Sequence, residues 1–160
     1  MWAKWKRVAL IPNAKRALKR LQDAGYKLFV VTNQSGVGRG LFSRKAVEQI
    51  HAHHDEQFGQ AGVTFDRCYV CPHHPEDNCD CRRPKPQFLR EAASEFGLDL
   101  ARCFTVDDRP SDIQAGINAG TKTVLVLTGV GQETLAKNEA QPNYVAKNIA
   151  EATDWILVRS

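Results

Sequence analysis

The densest chemistry in the chain lies between residues 68 and 83. The segment Cys71-Pro72-His73-His74-Pro75-Glu76-Asp77-Asn78-Cys79-Asp80-Cys81 packs three thiols and two imidazoles into one loop. Cys71, His73, Cys79 and Cys81 make a Cys3His set, a common tetrahedral zinc arrangement with ligand bonds of about 2.0–2.3 Å. Four protein ligands leave zinc no open position, so such an ion would be structural. Cys68 forms a Cys-x-x-Cys with Cys71, and its apolar surroundings mark it as core; His74 is an alternative to His73. A loop of free thiols and exposed imidazoles is the plain alternative.

Three further clusters could handle an anion. Arg82-Arg83-Pro84-Lys85 follows the thiol loop directly, and guanidinium forks grip phosphate oxygens in pairs. Thr32-Asn33-Gln34-Ser35-Gly36-Val37-Gly38-Arg39-Gly40 supplies hydroxyl, amide and backbone donors that can converge on an anion. Asp107-Asp108-Arg109-Pro110-Ser111-Asp112 sets hard carboxylate oxygens at a strand-to-helix junction, where Mg2+ and a substrate phosphate can share them. Asp112 would also be favourable simply as an acid in a first helical turn.

These clusters follow apolar runs. Residues 26–31, 68–70, 103–106 and 123–127 read as strands buried on both faces, as in a parallel sheet. Amphipathic segments lie between them: residues 14–24 ending at Gly25, 43–58 behind a serine cap, 87–96 ending at Gly97, 111–119 behind a second serine, and 148–157 after a short strand near Tyr144. The alternation predicts an α/β fold, a Rossmann-like parallel sheet sandwiched by helices. Ligands in such sheets sit beyond the carboxyl ends of the strands, where the polar clusters fall.

Composition bounds the rest. The chain has 160 residues, with 42% apolar and 25% charged, which suits one globular domain over residues 1–160. Net charge is +4, and no clustered Lys/Arg stripe marks a nucleic-acid binder. No apolar run approaches the roughly 18 residues of a membrane span, and residues 8–11 are too short for a signal core. Five cysteines, an odd number, favour metal binding in a reducing cytoplasm over a disulfide framework.

Taken in order, the motifs at residues 30–40, 71–75, 79–84 and 106–116 resemble the haloacid-dehalogenase-like phosphatases, in the branch acting on heptose bisphosphate and histidinol phosphate. The resemblance implies Mg2+-dependent phosphoryl transfer through an aspartyl-phosphate, a phosphorylated sugar as substrate, structural zinc and a monomer. Thr32 and Asn33 then hold the transferred phosphoryl group, and Gln34 and Ser35 help bind substrate. Arg82, Arg83 and Arg109 contact substrate or phosphate, Asp108 holds Mg2+, and Asp112 supports its loop. Arg83 stands where this family usually has lysine, and Asp107 where it has glycine. The family's first motif, Asp-x-Asp-Gly on the first central strand, is missing: no Asp or Glu precedes Asp23. That strand is expected to be missing or replaced and the domain N-terminally shortened, which leaves a phosphatase without its nucleophile or a non-catalytic relative that binds zinc and phosphorylated ligands.

Overall fold

A computed structural model describes residues 10–159. The residues 1–9, including the start of the apolar run at 8–11, lie outside the description. Among the described residues seven α-helices and five strands follow in the order α1 (Ala14–Asp23), β1 (Phe29–Asn33), α2 (Ser35–Gly38), α3 (Arg44–Gly59), β2 (Arg67–Cys71), α4 (Gln87–Phe96), β3 (Phe104–Asp107), α5 (Pro110–Ala119), β4 (Lys122–Val126), α6 (Gly131–Ala136), β5 (Tyr144–Ala146) and α7 (Ile149–Leu157). The α/β class with parallel strands and flanking helices is as the sequence predicts.

Among the described residues the strands form two sheets. There β1 pairs with β2 alone, in register from Phe29 opposite Arg67 to Asn33 opposite Cys71. β3, β4 and β5 form a second parallel sheet with β4 in the middle. No ladder joins β1 to β3 among the described residues. Burial follows the pairing: Thr123, Val124, Leu125 and Val126 of β4 are buried, whereas every residue of β1 and β3 is only half-buried. The expectation of strands covered on both faces therefore holds for β4 and fails for β1 and β3, each of which has one paired neighbour among the described residues.

Side chains and helices bridge the seam. The Tyr26 and Phe104 rings meet edge to face with centroids 6.0 Å apart, and Phe104 and Val106 pack against the cluster of Leu21, Leu28, Phe58, Val63 and Ile156. α1 lies on α7, joined by an Arg20–Asp154 ion pair of 2.7 Å.

Local signals explain most helix ends. Ser43 caps α3 by accepting from the Ala46 N–H, Asn148 caps α7 in the same way, and Gly120 ends α5 at φ 85°, where a Cβ is unfavourable. One expected cap is wrong. α5 starts at Pro110, and Ser111 lies inside it, its hydroxyl donating to Asp112 instead. Proline at the first helical position forfeits an N–H that has no intrahelical partner, so no serine cap is required.

Candidate active site at the strand ends

The thiol loop leaves β2 at Cys71, which is fully buried. Cys71 Sγ lies 3.6 Å from Cys79 Sγ and 3.7 Å from His73 Nδ1; Cys81 Sγ lies 3.6 Å from Cys79 Sγ and 3.2 Å from His73 Nδ1. All four ligand atoms fall within 4.8 Å of one another. Zinc bonds of about 2.0–2.3 Å place tetrahedral ligands about 3.3–3.8 Å apart, so this donor set fits zinc. The thiols are electrostatically unequal. Burial pushes Cys81 up, together with thiol hydrogen bonds shared with Cys71 and Cys79. Burial also acts to raise Cys79, but hydrogen bonds from Cys71, Cys81 and nearby backbone N–H groups outweigh it and hold that thiol low.

The two alternatives separate. His74 turns away from the thiols: its ring Nδ1 accepts from the Glu76 N–H at 3.2 Å and its own N–H donates to Asp77, closing a 3-10 turn over Pro75–Asp77. Cys68 is exposed, not core as its apolar neighbours suggest, because β2 is an edge strand whose alternate side chains face outward. Its Sγ lies 2.8 Å from His51 Nδ1 on α3. Lys85 stitches the loop shut, with Nζ donating to the Cys79 carbonyl at 2.9 Å and pairing with Asp80 at 3.1 Å.

The glycine-rich segment packs directly on this loop. The Gln34 N–H donates to the Cys71 carbonyl and the Gly38 N–H to the Pro72 carbonyl, both at 2.8 Å. A Cβ on Gly38 would collide with the His74 backbone nitrogen, so only glycine allows this approach. Thr32 and Asn33 lie at the carboxyl end of β1, where Thr32 Oγ1 accepts from the Gln34 amide at 3.1 Å. Ser35 opens α2.

Arg83 joins the two halves. Its backbone N–H reaches Asn33 Oδ1 at 3.5 Å, on the β1 side. Its guanidinium pairs with Asp112 at the start of α5 and lies 3.9 Å from Asp107 at the end of β3. Asp112, only 4% exposed, therefore does more than favour a helix start. Burial lowers Arg83 from its ordinary value, offset in part by Asp107. Two guanidinium nitrogens here, Arg82 Nη1 and Arg83 Nε, are buried without a hydrogen-bond partner among the described residues. Such an orphan costs about 1–3 kcal/mol unless a ligand or water accepts from it.

Asp108 sits beside this pair in a cradle that sequence reasoning missed. Its Oδ2 accepts from the Val130 N–H at 2.8 Å, and its carbonyl accepts from the Thr134 hydroxyl at 2.9 Å. A Cβ on Gly129, at φ 60°, would strike the Asp108 carboxylate, while one on Gly131 would strike the Val126 carbonyl. The Gly-Val-Gly triplet after β4 was the available signal. Asp107 Oδ1 accepts from the Asp108 N–H at 2.8 Å and the Arg109 N–H at 3.0 Å. Burial, helped by the neighbouring Asp108 carboxyl, raises the Asp107 carboxyl to about 6, against the Arg109 N–H hydrogen bond and the Arg83 charge. Arg109 is exposed and precedes α5 as its N-cap residue. One oxygen of Asp108 remains for a cation, and a carboxylate at a strand end fits Mg2+ as one of its few protein ligands.

Two unsatisfied guanidinium nitrogens and a carboxylate-bearing turn, gathered at the carboxyl ends of parallel strands, suit an α/β domain that takes a phosphorylated ligand beside a cation. A family model described as HAD-hydrolase-like matches residues 80–152. The D-glycero-beta-D-manno-heptose-1,7-bisphosphate 7-phosphatase of Pseudomonas aeruginosa is 35% identical over 147 residues, covering 92% of this chain and 83% of the relative. The enzyme of the same name from Helicobacter pylori is 40% identical over 140 residues, 87% of this chain and 78% of the relative. Among solved structures, the D,D-heptose 1,7-bisphosphate phosphatase of B. bronchiseptica, complexed with magnesium and phosphate, superposes with a TM-score of 0.91 at 33% identity, covering 98% of this chain and 88% of that one. The chain belongs to the haloacid-dehalogenase-like phosphatase family.

Proposed function

We propose that this chain is the zinc-braced body of a Mg2+-dependent sugar-phosphate phosphatase, with D-glycero-D-manno-heptose 1,7-bisphosphate as substrate and the 7-phosphate as the group removed. The observation that carries this reading is Arg83, which ties the β1 and β3 strand ends together and leaves a buried donor nitrogen for phosphate oxygen. Thr32, Asn33, Gln34, Ser35, Arg82, Arg83 and Arg109 would bind the phosphorylated sugar. Asp108 would hold Mg2+, which supplies charge neutralisation on the phosphoryl oxygens. Cys71, His73, Cys79 and Cys81 would hold one zinc ion that fixes the loop carrying the arginines. Reduced thiols suit the cytoplasm. Residues 1–160 form one domain in this reading, acting as a monomer.

Covalent phosphoryl transfer also needs a nucleophile. In this reading a strand bearing Asp-x-Asp-Gly belongs between β1 and β3, and the chain without it binds phosphate but turns over negligibly. The experiment is phosphate release from heptose 1,7-bisphosphate by the chain alone, by a fusion carrying that strand, and by the same fusion with both aspartates changed to asparagine. The first fusion should exceed the other two by about a thousandfold or more. Comparable turnover by the chain alone, or none by the fusion, overturns the proposal. A second reading, a non-catalytic protein that binds zinc and phosphorylated ligands, draws on the Cys71-His73-Cys79-Cys81 cluster and the orphaned Arg82 and Arg83 nitrogens, which bind without doing chemistry. It predicts micromolar ligand binding and an inert fusion. Running the assay with histidinol phosphate decides between the two substrates of this branch.

A further inference from the structure

The carboxylate of Asp107 is divided between two tasks. Oδ1 accepts from the Asp108 and Arg109 N–H groups and shapes the turn that presents Asp108. Oδ2 lies 3.9 Å from Arg83 Nη1, on a guanidinium that also pairs with Asp112. Ser111 holds Asp112 in place by donating to its Oδ2 at 3.0 Å. Arg83 Nη1 is thus drawn toward carboxylates on β3 and α5, while Nε on the other edge of the planar fork is buried with no partner among the described residues. A guanidinium is rigid, so fixing one edge fixes the direction of the other.

We propose that Asp107 is a positioning residue: with Asp112 it holds the Arg83 guanidinium so that Nε stays turned toward the bound phosphate. This rests on the reading above that Arg83 binds phosphate. Two opposing effects give it a sharp sign. Asp107 is an anion near an anion site, so removing its charge should tighten phosphate binding if charge alone mattered. If it positions Arg83, removing the charge leaves Asp112 as the one carboxylate holding that edge of the guanidinium, the direction of Nε is no longer fixed from both sides, and binding weakens.

The test is calorimetric titration of the zinc-loaded chain with inorganic phosphate in the presence of Mg2+. Asp107→Asn keeps an Oδ1 acceptor for the turn, so amide exchange at Asp108 and Arg109 should stay slow while phosphate affinity falls about five- to tenfold, the scale of one charge-assisted hydrogen bond. The same substitution placed on Arg83→Ala should change affinity less than about twofold, since the group it orients is gone. Asp107→Gly should speed exchange at both amides and weaken phosphate as well. Tighter or unchanged binding in Asp107→Asn overturns the inference, as does equal weakening on the Arg83→Ala background. Fast exchange in Asp107→Asn also overturns it, since the effect would then run through the turn. Phosphate binding that ignores Asp107 sinks this inference alone, whereas an unaltered chain that binds no phosphate sinks the anion pocket too.

Discussion

β1 and β4 are both five-residue parallel strands, Phe-Val-Val-Thr-Asn and Lys-Thr-Val-Leu-Val, yet four residues of β4 are buried and none of β1. Composition does not account for that. β4 has a paired strand on each edge and α5 and α7 against it, whereas β1, among the described residues, has β2 on one edge and α4 against it. A strand's burial is set by what covers its faces as well as its edges: β2, with one paired edge like β1, still buries Tyr69 and Cys71. The candidate site residues straddle this contrast: Thr32, Asn33 and the thiol loop belong to the two-stranded half, Asp107, Asp108 and Asp112 to the three-stranded half, and Arg83 crosses between them.

The largest expected effect separates the halves by metal. In the double variant Cys79→Ala, Cys81→Ala, elemental analysis should fall from about one zinc per chain to none, forfeiting apparent binding energy of roughly 10 kcal/mol. Hydrogen exchange should then quicken in β1 and β2 and remain slow in β4; loosening of both sheets together would show that they unfold as one unit. Truncation comes next. Ile113, fully buried on α5, should cost about 2–5 kcal/mol in chemical denaturation as Ile113→Ala, while Val30→Ala on half-buried β1 should cost less than about 1.5 kcal/mol. Equal costs would erase the distinction between the sheets.

Filling the seam should remove the contrast. Fusing the strand described above should slow amide exchange at Val30 and Val31 by about a hundredfold or more, with little change at Val124 and Leu125. A smaller effect follows from Asp107. Burial raises its carboxyl to about 6 from 3.8, so between those values the folded chain keeps a proton that the unfolded chain has released. Stability of the unaltered protein therefore falls as pH climbs from about 4 to about 6, and Asp107→Asn escapes that loss. The variant should gain about 1–2 kcal/mol over the unaltered chain at pH 7 and nothing at pH 3.5, read by urea unfolding at each pH. The smallest effect lies on the surface. Lys137→Ala breaks an exposed ion pair with Glu133 and should change stability by no more than about 0.5 kcal/mol.

Local chemistry was legible along the chain. The Ser43 and Asn148 caps, the glycine ends at Gly25, Gly97 and Gly120, and the four-ligand spacing of Cys71, His73, Cys79 and Cys81 all depend on residues within about a dozen positions of one another. Thr32 and Asn33 emerge at a strand end as expected, though the strand carries them itself and runs two residues past the apolar stretch. Cys68 and Ser111 were misread for one reason: an edge strand and a proline-led helix change what a thiol or a hydroxyl faces, and neither feature shows in the side chain's own type.

By itself the amino-acid order determined the α/β alternation, the Cys3His spacing, the run of arginines behind it and the lack of an acid before Asp23. Each is a property of spacing or residue type, so each survives without knowledge of the fold. Only the tertiary structure decided that no ladder joins β1 to β3 among the described residues, that His73 and not His74 joins the thiols, and that Arg83 lies between Asp107 and Asp112. Those are contacts between distant segments. Their geometry is set by how helices and strands pack, and many side chains could satisfy the same local pattern without ever meeting.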